Sequence, residues 1–340
     1  MSEFQTLKSD LTKTRLVKEI SLRNTLDEEE IELKIERFAF TANNVTYGVA
    51  GETIGYWRFF PALDNQANEW GCIPMWGFAE ISGSNNKNLA VGERVFGFYP
   101  AAESLIMTPS KISDDRFIDG KKSRQELPSV YNNYVRMPKK TDYDSTLDNI
   151  QALLFPLHLT AFCLCDLLQE QSYLGASQVI IISASSKTAI GIAQGLANKD
   201  KAPNLVGLTS TKNVNFVESL GCYDEVIPYD QFNKLNADAT SVLVDMAGNR
   251  EILESLNERL KQNMLKCFTV GMTHWDNEIL AEDALDQMTR GERTEFFFAP
   301  AYIQKRINEW GHERFDKESK DFMHTRLMQS KKWMQVKEIQ

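Results

Sequence analysis

The stretch Val179-Ile180-Ile181-Ile182-Ser183-Ala184-Ser185-Ser186-Lys187-Thr188-Ala189 passes from an unbroken apolar run, through small and polar residues, into a helical pattern beginning near Ala189. An apolar run without alternation reads as a strand buried on both faces, hence as part of a parallel sheet with helical crossovers. A turn from such a strand into a helix is where a dinucleotide fold holds a pyrophosphate against exposed helix N–H groups. No glycine stands in this turn. At the positions of the fingerprint Gly-x-Gly-x-x-Gly the chain has Ala184, Ser186 and Ala189, all small, which leave room for close backbone approach with less conformational freedom. Ser185, Ser186 and Thr188 offer hydroxyls to a phosphate, and Lys187 offers charge. The same residues also make an ordinary strand-to-helix turn with a serine N-cap, and taken alone they leave both readings open. A P-loop is excluded, because its glycines would fall at Ser186 and at Ile181, the latter inside the strand.

Downstream, Asn204–Thr209, Glu225–Ile227, Ser241–Asp245 and Leu265–Gly271 are further short apolar runs with helical segments between most of them. A repeated strand-then-helix order predicts a doubly wound parallel α/β sheet. The second strand ends in Thr209-Ser210-Thr211-Lys212, where NAD-specific proteins keep an acidic residue for the ribose 2′-OH. Hydroxyls and a lysine there would instead pair with a 2′-phosphate, so a dinucleotide bound here is expected to be NADP(H), with Thr209, Ser210 and Lys212 as contacts. An ordinary Ser/Thr cap on the helix carrying Phe216, Val217 and Leu220 accounts for the same residues, and both roles can hold together.

Upstream, from Thr14 to about Tyr134, the texture is short strands punctuated by Gly, Pro and Asn, among them Arg15–Ser21, Glu30–Phe38, Met75–Ser82 and Glu93–Phe98. This predicts an all-β region. Helical spacing takes over near Ser145, through Ala152, Leu153, Phe155 and Leu159. The expected domains are therefore 1–148 and 149–294. The segment 295–340, opening with Phe296-Phe297-Phe298, is expected to return to the β-rich half and add a strand to it.

Together these pieces resemble the medium-chain dehydrogenase/reductases, in particular their quinone-oxidoreductase-like members. The resemblance is carried by Pro156-Leu157-His158-Leu159-Thr160-Ala161, the strand-turn-helix through Gln194, and Phe216-Val217-Glu218-Ser219-Leu220-Gly221 leading to Asp224-Glu225-Val226-Ile227 and Tyr229. Val244-Asp245-Met246-Ala247-Gly248, Gly77-Phe78-Ala79-Glu80-Ile81 and Val91-Gly92-Glu93-Arg94-Val95-Phe96-Gly97 add to it in the same order along the chain. The resemblance implies a GroES-like β-rich domain joined to a Rossmann-type domain. It also implies Thr160, Tyr229 and Gly271 as cofactor-binding positions.

Members that oxidise alcohols hold zinc with Cys, a His–Glu pair and a second Cys or Asp. Here Asn43 stands at the first Cys position, Met75-Trp76-Gly77 replaces the Gly-His-Glu segment, and no cluster of thiolates exists for a structural zinc. The expectation is a zinc-free site. Without a metal, hydride delivery to a quinone or conjugated carbonyl needs a donor that stabilises the oxygen. The resemblance puts Asn43 and Tyr47 opposite the nicotinamide, with Tyr47 the candidate proton donor; a loop aromatic packed at the domain boundary explains Tyr47 equally. His274 follows the strand Leu265–Gly271, at the strand end that opens onto the cleft in such folds, and is the third catalytic candidate. His158 reads as a packed histidine. Trp275, Phe296 and Phe298 are candidates for an apolar pocket wall, for core, or for a dimer interface.

Bulk properties set the remaining expectations. A formal net charge of −9, with no long basic run, excludes a polyanion as the main partner. The five cysteines are scattered and odd in number, which suits reduced thiols rather than a disulfide framework. The polar start Met1–Asp10 shows no signal or transit pattern, and no apolar run is expected to be long enough to cross a bilayer. The expected protein is thus a cytoplasmic, homodimeric, NADPH-dependent reductase of a small quinone or α,β-unsaturated carbonyl. The alternative is a non-catalytic dinucleotide-binding structural or regulatory protein of the same fold.

Overall fold

The structure, a computed structural model, describes residues 1–18, 25–139, 142–197, 199, 202–270 and 293–339. It divides into two compact units, Met1–Leu153 and Leu154–Gln340.

Unit 1 is built mainly from short strands around an apolar core, with the central segment Arg94–Tyr99 buried throughout. Strands β1 (Glu3–Leu7), β2 (Asp10–Val17) and β4 (Trp70–Gly71) form a three-stranded sheet in the order β2-β1-β4. Strands β3 (Ile31–Phe38), β5 (Met75–Ser84), β6 (Arg94–Tyr99), β7 (Ser104–Met107), β8 (Pro109–Ser110), β9 (Arg116–Asp119) and β10 (Asn133–Arg136) form a seven-stranded antiparallel sheet, ordered β7-β3-β5-β6-β10-β9-β8. Its core gathers Ile31, Leu33, Ile81, Val95, Phe117 and Tyr134.

Among the described residues one α-helix interrupts the expected all-β region: α1, Ala42–Val49. It starts at a capping box in which the Thr41 side chain accepts from the helix backbone and Asn44 Oδ1 accepts the Thr41 N–H at 2.7 Å. The sequence signature for such a box has Glu or Gln at the third helical position, and Asn44 does the same work with a shorter side chain.

Unit 2 is a six-stranded, all-parallel sheet of β11 (Gln178–Ile182), β12 (Asn204–Thr209), β13 (Glu225–Pro228), β14 (Ser241–Asp245), β15 (Met264–Thr269) and β16 (Thr294–Phe296), in the order β13-β12-β11-β14-β15-β16. In chain order this is 3-2-1-4-5-6, the doubly wound arrangement whose switch point lies beside its first strand. Every residue of β11 and β14 is buried, as a sheet covered on both faces requires. Among the described residues the α-helices are α2 (Asp148–Glu170), α3 (Lys187–Leu196), α4 (Val214–Ser219), α5 (Arg250–Leu260), α6 (Ala299–Trp310) and α7 (His312–Ser330).

The division between the units falls inside α2. Its start is fastened to the sheet of unit 1, where Arg94 on β6 is bonded by Glu36 of β3 and Asp148 of α2, each at 2.7 Å. With its lead-in turn, α2 is long and apolar enough, by length and composition alone, to cross a membrane. This differs from the expectation that no apolar run has that length. Of its apolar window 61% is buried within the protein, as in a core helix.

The C-terminal segment corrects an expectation. Thr294–Phe296 does not join the β-rich half; it pairs in parallel with β15 and forms the edge of the unit 2 sheet. The helices that follow stay with the same unit. Arg306 of α6, 4% exposed, reaches Asp166 and Glu170 of α2 at 2.6 and 2.7 Å, and Phe322 of α7 lies against Gly195 of α3. A buried guanidinium ringed by carboxylates is costly to pull apart, so this hub fixes where the segment docks.

Candidate functional site

The turn after β11 keeps its shape without glycine. Ser183 takes a left-handed conformation, φ +60°, which a residue with a Cβ adopts at a cost of roughly 1–2 kcal/mol. Two tyrosines, one before β13 and one directly after it, hold it there. The Ser183 N–H donates to the Tyr229 hydroxyl at 3.0 Å, Ser183 Oγ is 3.2 Å from the same oxygen, and the Tyr223 hydroxyl donates to Ala184 O at 3.1 Å. The Ser186 N–H then closes the turn on Ser183 O at 2.8 Å, and Ser186 Oγ caps α3 by accepting from Ala189 N at 3.3 Å.

The space that a fingerprint glycine would give is supplied from neighbouring elements. A Cβ on Gly207 of β12 would come within 3.0 Å of both the Ala184 methyl and the Tyr223 ring. A Cβ on Gly191 of α3 would meet Ala161 at 3.0 Å and His158 at 3.2 Å on α2. Close approach of strand and helices, the usual reason for glycine in such turns, is thereby kept.

The α3 N-terminus is suited to an anion. The Lys187 and Thr188 N–H groups are in the first helical turn and have no intrahelical acceptor, and no acidic residue lies there. Both side chains are half-buried. Beside them, Ser185 Oγ accepts from Asn213 Nδ2 at 3.0 Å and from Thr209 Oγ1 at 3.4 Å, which joins the turn to the end of β12. Thr209 is 1% exposed, Ser210 is half-buried, and Lys212 is exposed. The turn residues and the second-strand residues predicted to bind cofactor are therefore brought together.

The structure adds an acidic group to this corner. The Thr211 hydroxyl donates to Asp230, with oxygens at 3.2 and 3.3 Å, so a carboxylate that follows β13 stands beside the segment expected to take a 2′-phosphate. The Thr160 hydroxyl donates to Pro156 O at 2.8 Å within α2. The Tyr229 hydroxyl accepts the Ser183 N–H. His158 is 2% exposed with Nε2 unpartnered, and burial, then the Arg326 charge, push its pKa down to about 4, so it is a packed neutral imidazole.

In unit 1, Asn43 and Tyr47 lie on α1. Tyr47 is 4% exposed among Tyr56, Phe98 and Tyr131, at ring separations of 4.6, 5.5 and 6.3 Å. Its hydroxyl accepts from Trp76 Nε1 at 3.3 Å and pairs with the Asn43 side chain, while burial raises the phenol far above its usual range. A proton donor at an open surface is not what this environment makes of it. Tyr47 packs, and half-buried Asn43 is the more accessible of the two.

His274, Trp275 and Gly271 lie outside the described residues. Phe296 and Phe298 stack at 6.2 Å, whereas Phe297 between them is buried against Tyr302. Among the described residues no group of three or more His, Cys, Asp or Glu is placed to hold a metal ion. Sequence reasoning missed Asn213, Tyr223, Gly207 and Asp230. Asn213 alone had a local signal, as the next polar residue after Lys212.

A β-rich unit followed by a 3-2-1-4-5-6 parallel sheet is the fold of the medium-chain dehydrogenase/reductases, and comparison with solved structures agrees. CurA from Vibrio vulnificus, in complex with NADPH, is 12% identical with a TM-score of 0.57, over 95% of this chain and 87% of that one. A putative NADPH:quinone reductase from Bacillus thuringiensis is 13% identical with a TM-score of 0.53, over 96% and 88%. The mitochondrial 2-enoyl thioester reductase Etr1p/Etr2p heterodimer from Candida tropicalis is 12% identical with a TM-score of 0.53, over 99% and 91%. At these identities the likeness is one of fold. No curated protein matches the sequence. Residues 38–340 match the family described as "Protein of unknown function (DUF2855)", and the chain belongs to that family.

Proposed function

We propose that this chain is an NADP(H)-dependent oxidoreductase that works without zinc and reduces a small quinone or α,β-unsaturated carbonyl. The observation that carries this is the meeting of the capped α3 N-terminus with the Thr209–Lys212 segment through Ser185. Its residues fit the phosphates of a dinucleotide: the open N–H groups of Lys187 and Thr188, the hydroxyls of Ser185, Thr188 and Ser210, and the Lys187 and Lys212 ammonium groups. The fold shared with CurA, solved with NADPH, and with a quinone reductase supports the same choice.

When bound, the nicotinamide would supply a hydride. The protein's own part is to hold the phosphates and to offer a hydrogen-bond donor to the substrate oxygen, for which Asn43 is the candidate and Tyr47 its support. A homodimer in the cytoplasm belongs to the same proposal, with sedimentation or light scattering as the check on assembly.

Turnover tests it: NADPH oxidation followed by absorbance over a panel of quinones and enones, with Lys212→Ala beside the wild type. Lys212→Ala is expected to raise KM for NADPH while leaving the weaker NADH reaction near its own level. Equal losses with both cofactors would remove Lys212 from the 2′-phosphate site. One observation favours a second reading, a non-catalytic dinucleotide-binding protein: the Tyr47 hydroxyl is enclosed. Stoichiometric NADPH binding with no turnover on any acceptor would select it.

A further inference from the structure

Resting on the NADP(H) reading above, we propose that Asn213 is a positioning residue that fixes Ser185 as a hydrogen-bond donor to the 2′-phosphate. A serine hydroxyl has one proton to give and two lone pairs to fill. On Ser185 both lone pairs are addressed from within the protein, by Asn213 Nδ2 at 3.0 Å and by Thr209 Oγ1 at 3.4 Å. No acceptor for its proton is described among the described residues, so that proton points away from both donors.

The direction follows from where the donors sit. Thr209 closes β12 and Asn213 ends the turn Thr211–Asn213, so the two bracket Ser210, Thr211 and Lys212. Ser185 is thus tied to the ribose-reading end of β12 rather than to the tip of α3, whose cap is Ser186. Its proton then joins the Lys212 charge at the 2′ position. Asn213 would touch no ligand atom: an amide donates to Ser185, and a side chain that accepted instead would turn the Ser185 proton inward.

A double-mutant cycle of Ser185→Ala and Asn213→Ala tests this, with dissociation constants for NADPH and NADH read from nicotinamide fluorescence. Losing a hydrogen bond to a charged phosphate is expected to weaken NADPH binding roughly tenfold or more in Ser185→Ala. NADH, which lacks that phosphate, should change much less. Asn213→Ala should reproduce most of the NADPH loss, and the double variant should be no worse than Ser185→Ala alone. Asn213→Leu, close in size, uncharged and unable to donate, covers the case in which the alanine variant does not fold; it should also lose NADPH preference. Additive losses, or equal losses for both nucleotides, would overturn the role of Asn213 while leaving NADP(H) binding standing. A wild type that binds neither nucleotide would overturn both.

Discussion

Replacing Tyr229 by phenylalanine removes one oxygen and, if the turn is held as described, destabilises unit 2 through a backbone group. The Ser183 N–H loses its acceptor at 3.0 Å. An enclosed donor left without a partner costs about 1–3 kcal/mol, and because Ser183 is half-buried the lower part of that range, about 1–1.5 kcal/mol, is expected. Ser183→Gly separates backbone from side chain. Glycine relieves about 1 kcal/mol of left-handed strain at φ +60°, and loses the Oγ contact with Tyr229 at 3.2 Å, worth about 0.5–1 kcal/mol. The two nearly cancel, so Ser183→Gly alone should stay within about 0.5 kcal/mol of wild type. Tyr229→Phe should lose both contacts in the wild type but only the N–H bond in the Ser183→Gly background, so its cost there should be about 0.5–1 kcal/mol smaller and should keep the N–H part of about 1–1.5 kcal/mol. Urea unfolding at constant slope reads all four proteins. A Tyr229→Phe loss that vanished in the glycine background would show that the hydroxyl acts through the serine side chain. A Ser183→Gly variant destabilised by 2 kcal/mol would refute the strained turn itself.

Two further outcomes are expected. His158 has a folded pKa of about 4 against an ordinary value of 6.5, so the unfolded chain takes up the proton first; stability from the neutral ring is complete above about pH 6.5 and is lost as the pH falls toward 4. That window is worth up to about 3 kcal/mol, and His158→Leu should flatten the stability–pH curve across it; identical curves would contradict the packed neutral imidazole. Asp230→Asn removes a carboxylate bonded by Thr211 and should tighten NADPH binding several-fold at low salt, less at high salt, with little change for NADH. Unchanged NADPH affinity would place Asp230 outside the reach of the 2′-phosphate.

The fold was legible where burial writes itself into composition. The apolar runs at 179–183, 204–209 and 241–245 read as strands covered on both faces, and their alternation with helices predicted a doubly wound parallel sheet, whose 3-2-1-4-5-6 order the structure supplies. Strand partners of weakly patterned segments were not legible. Phe296-Phe297-Phe298 reads as extended, but three residues do not say which sheet edge they extend, and the deciding group, Arg306 against Asp166 and Glu170, acts across the fold. The helix α1 was hidden because Asn44 completes a capping box normally written with Glu or Gln. In the site, the residue types proposed to face a phosphate could be read locally. The reason a glycine-free turn still closes could not: its space comes from Gly207 and its backbone partner from Tyr229, both remote in sequence, and Tyr229 was marked only as a cofactor-binding position, not as a partner of Ser183.

The central claim is that this altered turn still takes a dinucleotide, and titrating the purified wild-type chain with NADPH and with NADH tests it most directly, by tryptophan quenching and nicotinamide emission. Saturable, stoichiometric binding with NADPH preferred over NADH is the expected result. Binding of neither nucleotide would contradict the account and leave the turn after β11 as a structural connection only.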